Sequence, residues 1–258
     1  MDLSISTLRL EAFLLVLARC AGFCVSAPLF SHKSVNTRLR VLIAFCIALS
    51  IFAPMDLVLP EYESVFGFTM LVVKELLVGL SIGFVAKLVM SIIYMAGEFM
   101  DREMGFAMAT NFDPNAGVNV TITAELYDKM IYLVILITNL HFYILKAIAQ
   151  SFELIPVGKV TINPVYLYST VLDFIRSYFS MGFMIAMPIF VGIMILNVIL
   201  GVLAKSSPQM NMFAVGMQLK VMCGLLVFSV IVMFIPSITQ ILVERMQGAV
   251  EALMGGLR

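Results

Sequence analysis

Six apolar runs occupy most of this chain, at residues 10–30, 39–60, 65–97, 130–150, 174–204 and 212–243. Runs of this kind admit few folds. Away from water each backbone N–H and C=O must find a partner, and a helix supplies all of them within one segment. A bilayer core takes about 20 apolar residues in a helix, which the first, second and fourth runs match. The third, fifth and sixth are longer, and at about 1.5 Å per residue each would reach about 45 Å as one helix. Tilt absorbs part of that excess. Helices packed on protein and projecting past the membrane surface account for it as well. Pro188 and Pro236 are expected to kink or break the last two runs. Only 12% of residues are charged and mean hydropathy is +1.06, against about 25% charged residues in soluble domains. The expected fold is all-α: a membrane-associated protein with about six long apolar helices.

Lys+Arg and Asp+Glu balance at 16 each, so there is no basic footprint for nucleic acid. Cys20, Cys24, Cys46 and Cys223 all lie in apolar stretches and read as small buried hydrophobes. Cys20 and Cys24 have no second pair or nearby His to complete a metal site, and His32 and His141 are too few for a His-built centre. No Walker loop, His-Glu-x2-His, Gly-x-Ser-x-Gly or dinucleotide glycine pattern occurs. No enzymatic activity, metal or cofactor is expected, and transport or assembly remains. Arg19 within the first run and Glu11 near its start argue for a retained helix rather than a cleaved signal.

Charge also bears on topology. Residues 31–40 hold Lys33, Arg38 and Arg40 and no acid, whereas residues 54–64 hold Asp56, Glu61 and Glu63 and no base. The connection 205–211 carries Lys205. Six crossings with both termini outside would put the two basic connections in the cytoplasm. The same drawing places residues 98–129 inside, although they hold six acids and two bases. That stretch does not fit an ordinary cytoplasmic loop.

Several polar groups interrupt the runs: Arg19 in the first, Lys74, Glu75 and Lys87 in the third, Asn197 in the fifth. Ionised groups in lipid are costly and must face protein, water or one another. They read either as a proton or ion relay or as interhelical pairs and snorkelling lysines at a subunit contact. Asn197 is expected to hydrogen-bond across helices. Gly79-x3-Gly83 and Gly182-x3-Ala186 are small-residue pairs that let helices approach closely.

Residues 97–117 stand apart. They begin charged, pass through a Met- and Phe-bearing run of small residues, and end in a turn at Asp113-Pro114-Asn115. The chain has 20 Met and 20 Phe residues. Met is flexible and fills irregular gaps, so these side chains read either as adaptable core or, at Met104, Phe106, Met108 and Phe112, as a deformable seal.

Ala96-Gly97-Glu98-Phe99, with Met104-Gly105 and Asp113-Pro114, resembles the FliR family of flagellar type III export-gate subunits, which has injectisome counterparts. Leu154-Ile155-Pro156-Val157-Gly158 is similar to the family's Pro-x-Gly element. Leu196-Asn197-Val198-Ile199-Leu200-Gly201, followed by Ala204, Pro208-Gln209 and Gly216, is similar to its late signature. Glu103 departs from the pattern, which has Gln there. The resemblance covers residues 10–243.

The resemblance implies a FliP-like part, residues 1–165, joined to a FliQ-like helical hairpin, residues 166–258, with the tip at 205–211. It implies a place in the bacterial inner membrane, at the flagellar basal body, and no catalysis. FliP-like, FliQ-like and FlhB-like subunits and exported flagellar proteins would be the partners, in contact with lipid and not with nucleic acid. In this picture Met104, Gly105, Phe106, Met108, Phe112, Asp113, Pro114, Asn115 and Gly117 form a pore plug. Gly105 and Gly117 would be its flexible ends. Lys205, Pro208, Gln209 and Asn211 would touch a neighbouring subunit. The alternative reading is a small-solute secondary transporter with Lys74, Glu75 and Lys87 at a midplane site; an inverted repeat would accompany it, and none is visible.

Overall fold

Where the sequence is apolar the backbone is helical. The computed structural model describes residues 3–32, 35–54, 62, 64–106, 110–113, 118–161, 163–206 and 212–258. Within them lie helices α1 (Leu3–Ser26), α2 (Thr37–Phe52), α3 (Val65–Met90) and α4 (Ile92–Met104), then strands β1 (Thr110–Asp113) and β2 (Val118–Thr121). Helices α5 (Ile122–Ile137), α6 (His141–Leu154), α7 (Pro164–Ser206), α8 (Met212–Ile231) and α9 (Ile235–Gly255) follow. The architecture is all-α with one addition, the β1–β2 hairpin.

Local chemistry sets the boundaries. Asn36 caps α2 by accepting the Arg38 N–H at 3.1 Å. Asn163 accepts the Tyr166 N–H at 3.2 Å just ahead of Pro164, which opens α7. Proline suits a first helical turn, where its missing N–H has no partner to lose. Pro236 likewise lies in the first turn of α9, after a 3-10 turn at Val232–Phe234 that ends the preceding helix. Pro188 breaks nothing: α7 runs through it for 43 residues.

Three of the six expected runs are subdivided. The third becomes α3 and α4, and the sixth α8 and α9. The fourth is cut where Asn139 adopts φ 59, a left-handed conformation that Asn tolerates better than most residues. Among the described residues three helical stretches are long and apolar enough to cross a membrane: Val65–Met104, Pro164–Ser206 and Val215–Gly255. The α5–α6 pair, taken as one broken span, makes a fourth.

The chain forms two compact units of interleaved segments. One comprises Met1–Met90, Leu140–Phe174 and Val243–Arg258. In it α1 lies directly on α3. A Cβ at Gly79 would collide with the Arg19 carbonyl, one at Gly22 with the Leu76 carbonyl, and one at Gly83 with Ser26 Oγ. Ser26 Oγ donates to the Leu80 carbonyl at 3.0 Å across the same seam. Leu15, Val16, Phe23, Val78 and Ile82 fill the core around it. The end of the chain is tied to the α6–α7 connection: Thr161 N–H donates to the Leu257 carbonyl at 3.2 Å and Asn163 N–H to the Gly256 carbonyl at 3.0 Å.

The other unit comprises Ser91–Asn139 and Ile175–Leu242. There Gly97 of α4 sits against Ala124 of α5 with no room for a Cβ. In the α7–α8 hairpin Gly192 faces the side chain of Val227 and Gly216 that of Leu200. Phe99 of α4 stacks on Phe183 of α7 with centroids 4.6 Å apart, and Tyr127 of α5 meets Phe228 of α8 edge-on at 5.2 Å.

Substituting Gly79→Leu should therefore destabilise the protein by at least about 1–3 kcal/mol, the cost of forcing extra volume into a filled contact. Gly201→Ala, whose new Cβ meets nothing within 4 Å, should leave stability unchanged or slightly raised. Thermal unfolding in detergent, followed by circular dichroism, compares the two; equal melting temperatures would count against the close α1–α3 seam.

Candidate functional site

Of the polar residues in the apolar runs, two meet. Arg19 on α1 and Glu75 on α3 are both fully buried, and Arg19 Nε donates to Glu75 Oε2 at 2.6 Å. Arg19 Nη1 donates to the carbonyls of Ser151 at 2.8 Å and Ile155 at 2.9 Å, at the end of α6. Glu75 Oε1 accepts the Gly158 N–H at 2.7 Å. The guanidinium carbon lies 4.3 Å from the centre of the Phe152 ring, a favourable cation–π distance. Gly158 has φ 77, a backbone state that glycine adopts without steric cost. The Ile155-Pro156-Val157-Gly158 motif thus delivers one N–H and one carbonyl to a buried ion pair. Lys74, Lys87 and Asn197 are exposed, the first two on α3 and the last on α7.

The central segment has a fixed base. At the end of α4, Glu98 and Arg102 form a surface pair at 3.9 Å, of the kind that contributes little. Asp101, which precedes Arg102 in the chain, is fully buried. Its Oδ2 accepts the Thr123 N–H at 2.9 Å, and Thr123 Oγ1 donates to its Oδ1. Asp101 thereby caps the N-terminus of α5 from a neighbouring helix, where a carboxylate also meets the positive end of the helix dipole. Thr121, which occupies the N-cap position with φ −82 and ψ 160, makes no side-chain cap bond. Its buried Oγ1 has no partner among the described residues.

Met104 is fully buried against Gly224 of α8. Gly105 then ends α4 in the left-handed region at φ 87. Phe106, the next residue, is half-buried. The backbone next forms an antiparallel hairpin with Thr110 opposite Thr121 and Asp113 opposite Val118. Phe112 and Asp113 lie in β1; Met108, Pro114, Asn115 and Gly117 lie outside the described residues. At the other expected site, Lys205 is exposed near the end of α7, and Pro208, Gln209 and Asn211 also lie outside the described residues.

Sequence reasoning missed Asp101, Thr121, Thr123 and Ser151. Only a Thr ahead of an apolar run, a helix-start signal, hinted at the α5 boundary, and nothing in the sequence pairs it with Asp101. Among the described residues no group of three or more His, Cys, Asp or Glu is placed to hold a metal ion.

The family model for bacterial export proteins, family 1, matches residues 10–246. A flagellar biosynthetic protein FliR from Bacillus subtilis is 31% identical over 251 residues, 95% of this chain and 96% of the relative. The FliR of Escherichia coli K12 is 29% identical, covering 81% of this chain and 79% of its own. The surface presentation of antigens protein SpaR of Shigella flexneri is 25% identical, covering 85% and 86%.

Removing one member of a buried ion pair leaves the other uncompensated, at a cost of about 3–5 kcal/mol. Glu75→Gln should therefore lower the melting temperature markedly. The double variant Arg19→Met, Glu75→Leu should recover only part of the loss. It still strands the Gly158 N–H and two carbonyls, each worth about 1–3 kcal/mol. Full recovery in the double variant would mean that the backbone bonds contribute nothing.

Proposed function

The chain belongs to the bacterial export proteins, family 1, and is a component of the flagellar type III export apparatus; from that premise we propose that it is a subunit of the export gate in the bacterial inner membrane. It helps build and seal the pore through which flagellar proteins leave the cytoplasm, and it performs no bond chemistry.

One observation carries the sealing role. The helices that flank residues 105–121 in the chain are fastened to each other by the Asp101–Thr123 bonds. A segment between helices held this firmly is suited to occlude a lumen without wandering from it. Phe and Met side chains on it would exclude water and ions, as apolar constrictions do in channels. Met104 is the anchored end, Gly105 the first point where the backbone departs from the helix, and the segment Phe106, Met108, Phe112, Asp113, Pro114, Asn115 and Gly117 the occluding part.

The exposed surface supports a multi-subunit setting. Lys74 and Lys87 are exposed on the same helix as Phe66, Met70, Leu77 and Phe84. Lipid would not accept those charges cheaply. FliP-like and FliQ-like neighbours around α3 and α7 would cover this surface. An FlhB-like neighbour would meet the tip at Lys205, Pro208, Gln209 and Asn211. We assign residues 1–165 as the FliP-like part and 166–258 as the FliQ-like hairpin, the latter supported by the antiparallel α7–α8 contacts.

In vesicles holding the assembled complex, deletion of residues 105–115 should raise resting ion conductance while assembly persists. Conductance equal to that of the intact complex would sink the sealing role. Photocrosslinkers at Pro208, Gln209 or Asn211 should capture an export-apparatus subunit; capture of lipid alone would remove the tip contact.

A further inference from the structure

One face of α3 keeps a spacing that packing within this chain does not use. Phe66, Met70, Val73, Leu77, Leu80, Phe84 and Lys87 follow one another at alternating steps of four and three residues. That is the 3.5-residue period of a coiled-coil seam. Leu80 is half-buried and the others are exposed. From Phe66 onward, every exposed residue of α3 lies on this seam or directly flanks it, as Thr69, Lys74 and Leu76 do. The exposed strip is one helix wide. The buried residues of α3 are a different set, among them Glu75, Gly79 and Gly83, which meet α1.

Charge narrows what can lie on the strip. Lys87 occupies the last seam position, and Lys74 flanks the seam beside Val73. In coiled coils such flanking charges set partner choice and orientation, and a polar residue in the seam sets register. The strip offers no counter-charge of its own. Glu75 is the one acid of α3, and it is buried against Arg19 and the Gly158 N–H. Lipid does not supply one in the hydrocarbon core. That core takes about 20 helical residues, and every window of that length within the apolar stretch Val65–Met104 includes Lys74 or Lys87. Hydrocarbon along the seam would therefore strand at least one ammonium group.

We infer that this strip is the seat of one helix from another protein of the assembly, apolar along its length and bearing Asp or Glu opposite Lys74 and Lys87. At about 1.5 Å per residue the two lysines lie about 20 Å apart along α3, and the acids are spaced to match. A second copy of α3 does not qualify, because its only acid is the buried Glu75. A 3.5-residue seam drifts by about 20° per heptad on a straight helix, so the partner crosses α3 left-handedly at roughly 20°. This inference rests on the export-gate reading and gives one neighbour a binding face and a charge.

The test uses the full chain in the assembled complex, with a photocrosslinking amino acid placed in turn at Met70, Leu77 and Phe84, which stand one heptad apart. All three should capture one helix of another subunit, at points that step along it by about seven residues, and that helix should carry Asp or Glu. Capture of lipid, of a second copy of this chain, or of points scattered over several helices would overturn the inference. So would a captured helix without an acid. Lys87→Glu should lower export of flagellar protein by at least about tenfold, as expected when like charges are brought together at a contact. Exchanging the facing acid of the captured helix for Lys should restore export. Wild-type export by Lys87→Glu, or no recovery on the exchange, would also overturn it. If Lys87→Glu fails to reach the membrane, the capture pattern decides, since it leaves both lysines in place. Failure of the export-gate reading looks different: the wild-type chain, tagged and purified in detergent, would bring down no other export-apparatus subunit. Copurification without the stepped capture overturns the seam alone.

Discussion

A pair of buried charges organises one of the two units. Arg19 and Glu75 have no exposed surface, and taking two ions out of water costs several kcal/mol each before their attraction is counted. Such a pair is tolerable only when its remaining hydrogen-bonding capacity is used. Here the end of α6 and the turn after it use most of it, through the carbonyls of Ser151 and Ile155 and the N–H of Gly158, and of the pair's own atoms only Arg19 Nη2 is left without a partner among the described residues. Helices α1 and α3 cannot bury their charges unless residues 151–158 arrive at the right place. The arrangement works as a register device more than as a source of stability. It also explains why arginine suits position 19: a rigid fork reaches a carboxylate on one side and carbonyls on the other, which an ammonium group does less well.

The second unit repeats the logic with a different purpose. A buried carboxylate, Asp101, again accepts a backbone N–H from a helix that is remote in sequence. Beside Glu75 the α1–α3 seam that brings Arg19 is tight, and Gly22, Gly79 and Gly83 leave it no slack. Around Asp101 the ligand belongs to a helix whose first turn leads directly from a β-hairpin. The first device holds distant parts of the chain in one arrangement. The second joins the two helices that flank the β1–β2 hairpin.

Much of this was legible in the sequence. The apolar runs marked the helices, and the glycine pair at 79 and 83 marked a close approach that the structure realises. The ionisable residues in those runs announced themselves by being there at all. What could not be read was which of them meet. Lys74 and Glu75 are adjacent in the chain and lie on different faces of α3, one exposed and one buried. A sequence with no clear hydrophobic stripe gives no face to assign them to, because an almost uniformly apolar helix carries little amphipathic signal. The cut at Asn139 escaped for a similar reason: one polar residue in an apolar run does not reveal a left-handed backbone. The β1–β2 hairpin escaped because each strand is only four residues long, too short for alternation to declare itself. At Pro188 the helix is not broken, since α7 continues through it. Proline removes one hydrogen bond from a helix, and in an otherwise uninterrupted helix of 43 residues that loss is local.

The same uniformity bears on what covers the molecule. On the outer side of α3, Lys74 sits one turn from Met70 and beside Leu77, and Lys87 lies three residues beyond Phe84. Water would leave the Phe, Met and Leu surface unsatisfied, and hydrocarbon would do the same to the two lysines near the middle and end of the helix. Neither solvent suits the whole face. A protein neighbour does, because it can meet the apolar side chains with its own and offer carbonyls or carboxylates to the lysines. The overlong apolar helices lead to the same place. A helix that need only span a bilayer has no use for more than 40 residues, whereas one that packs among other subunits and extends past the lipid does. The features that make this chain look incomplete as a lone membrane protein are those that fit it for an assembly.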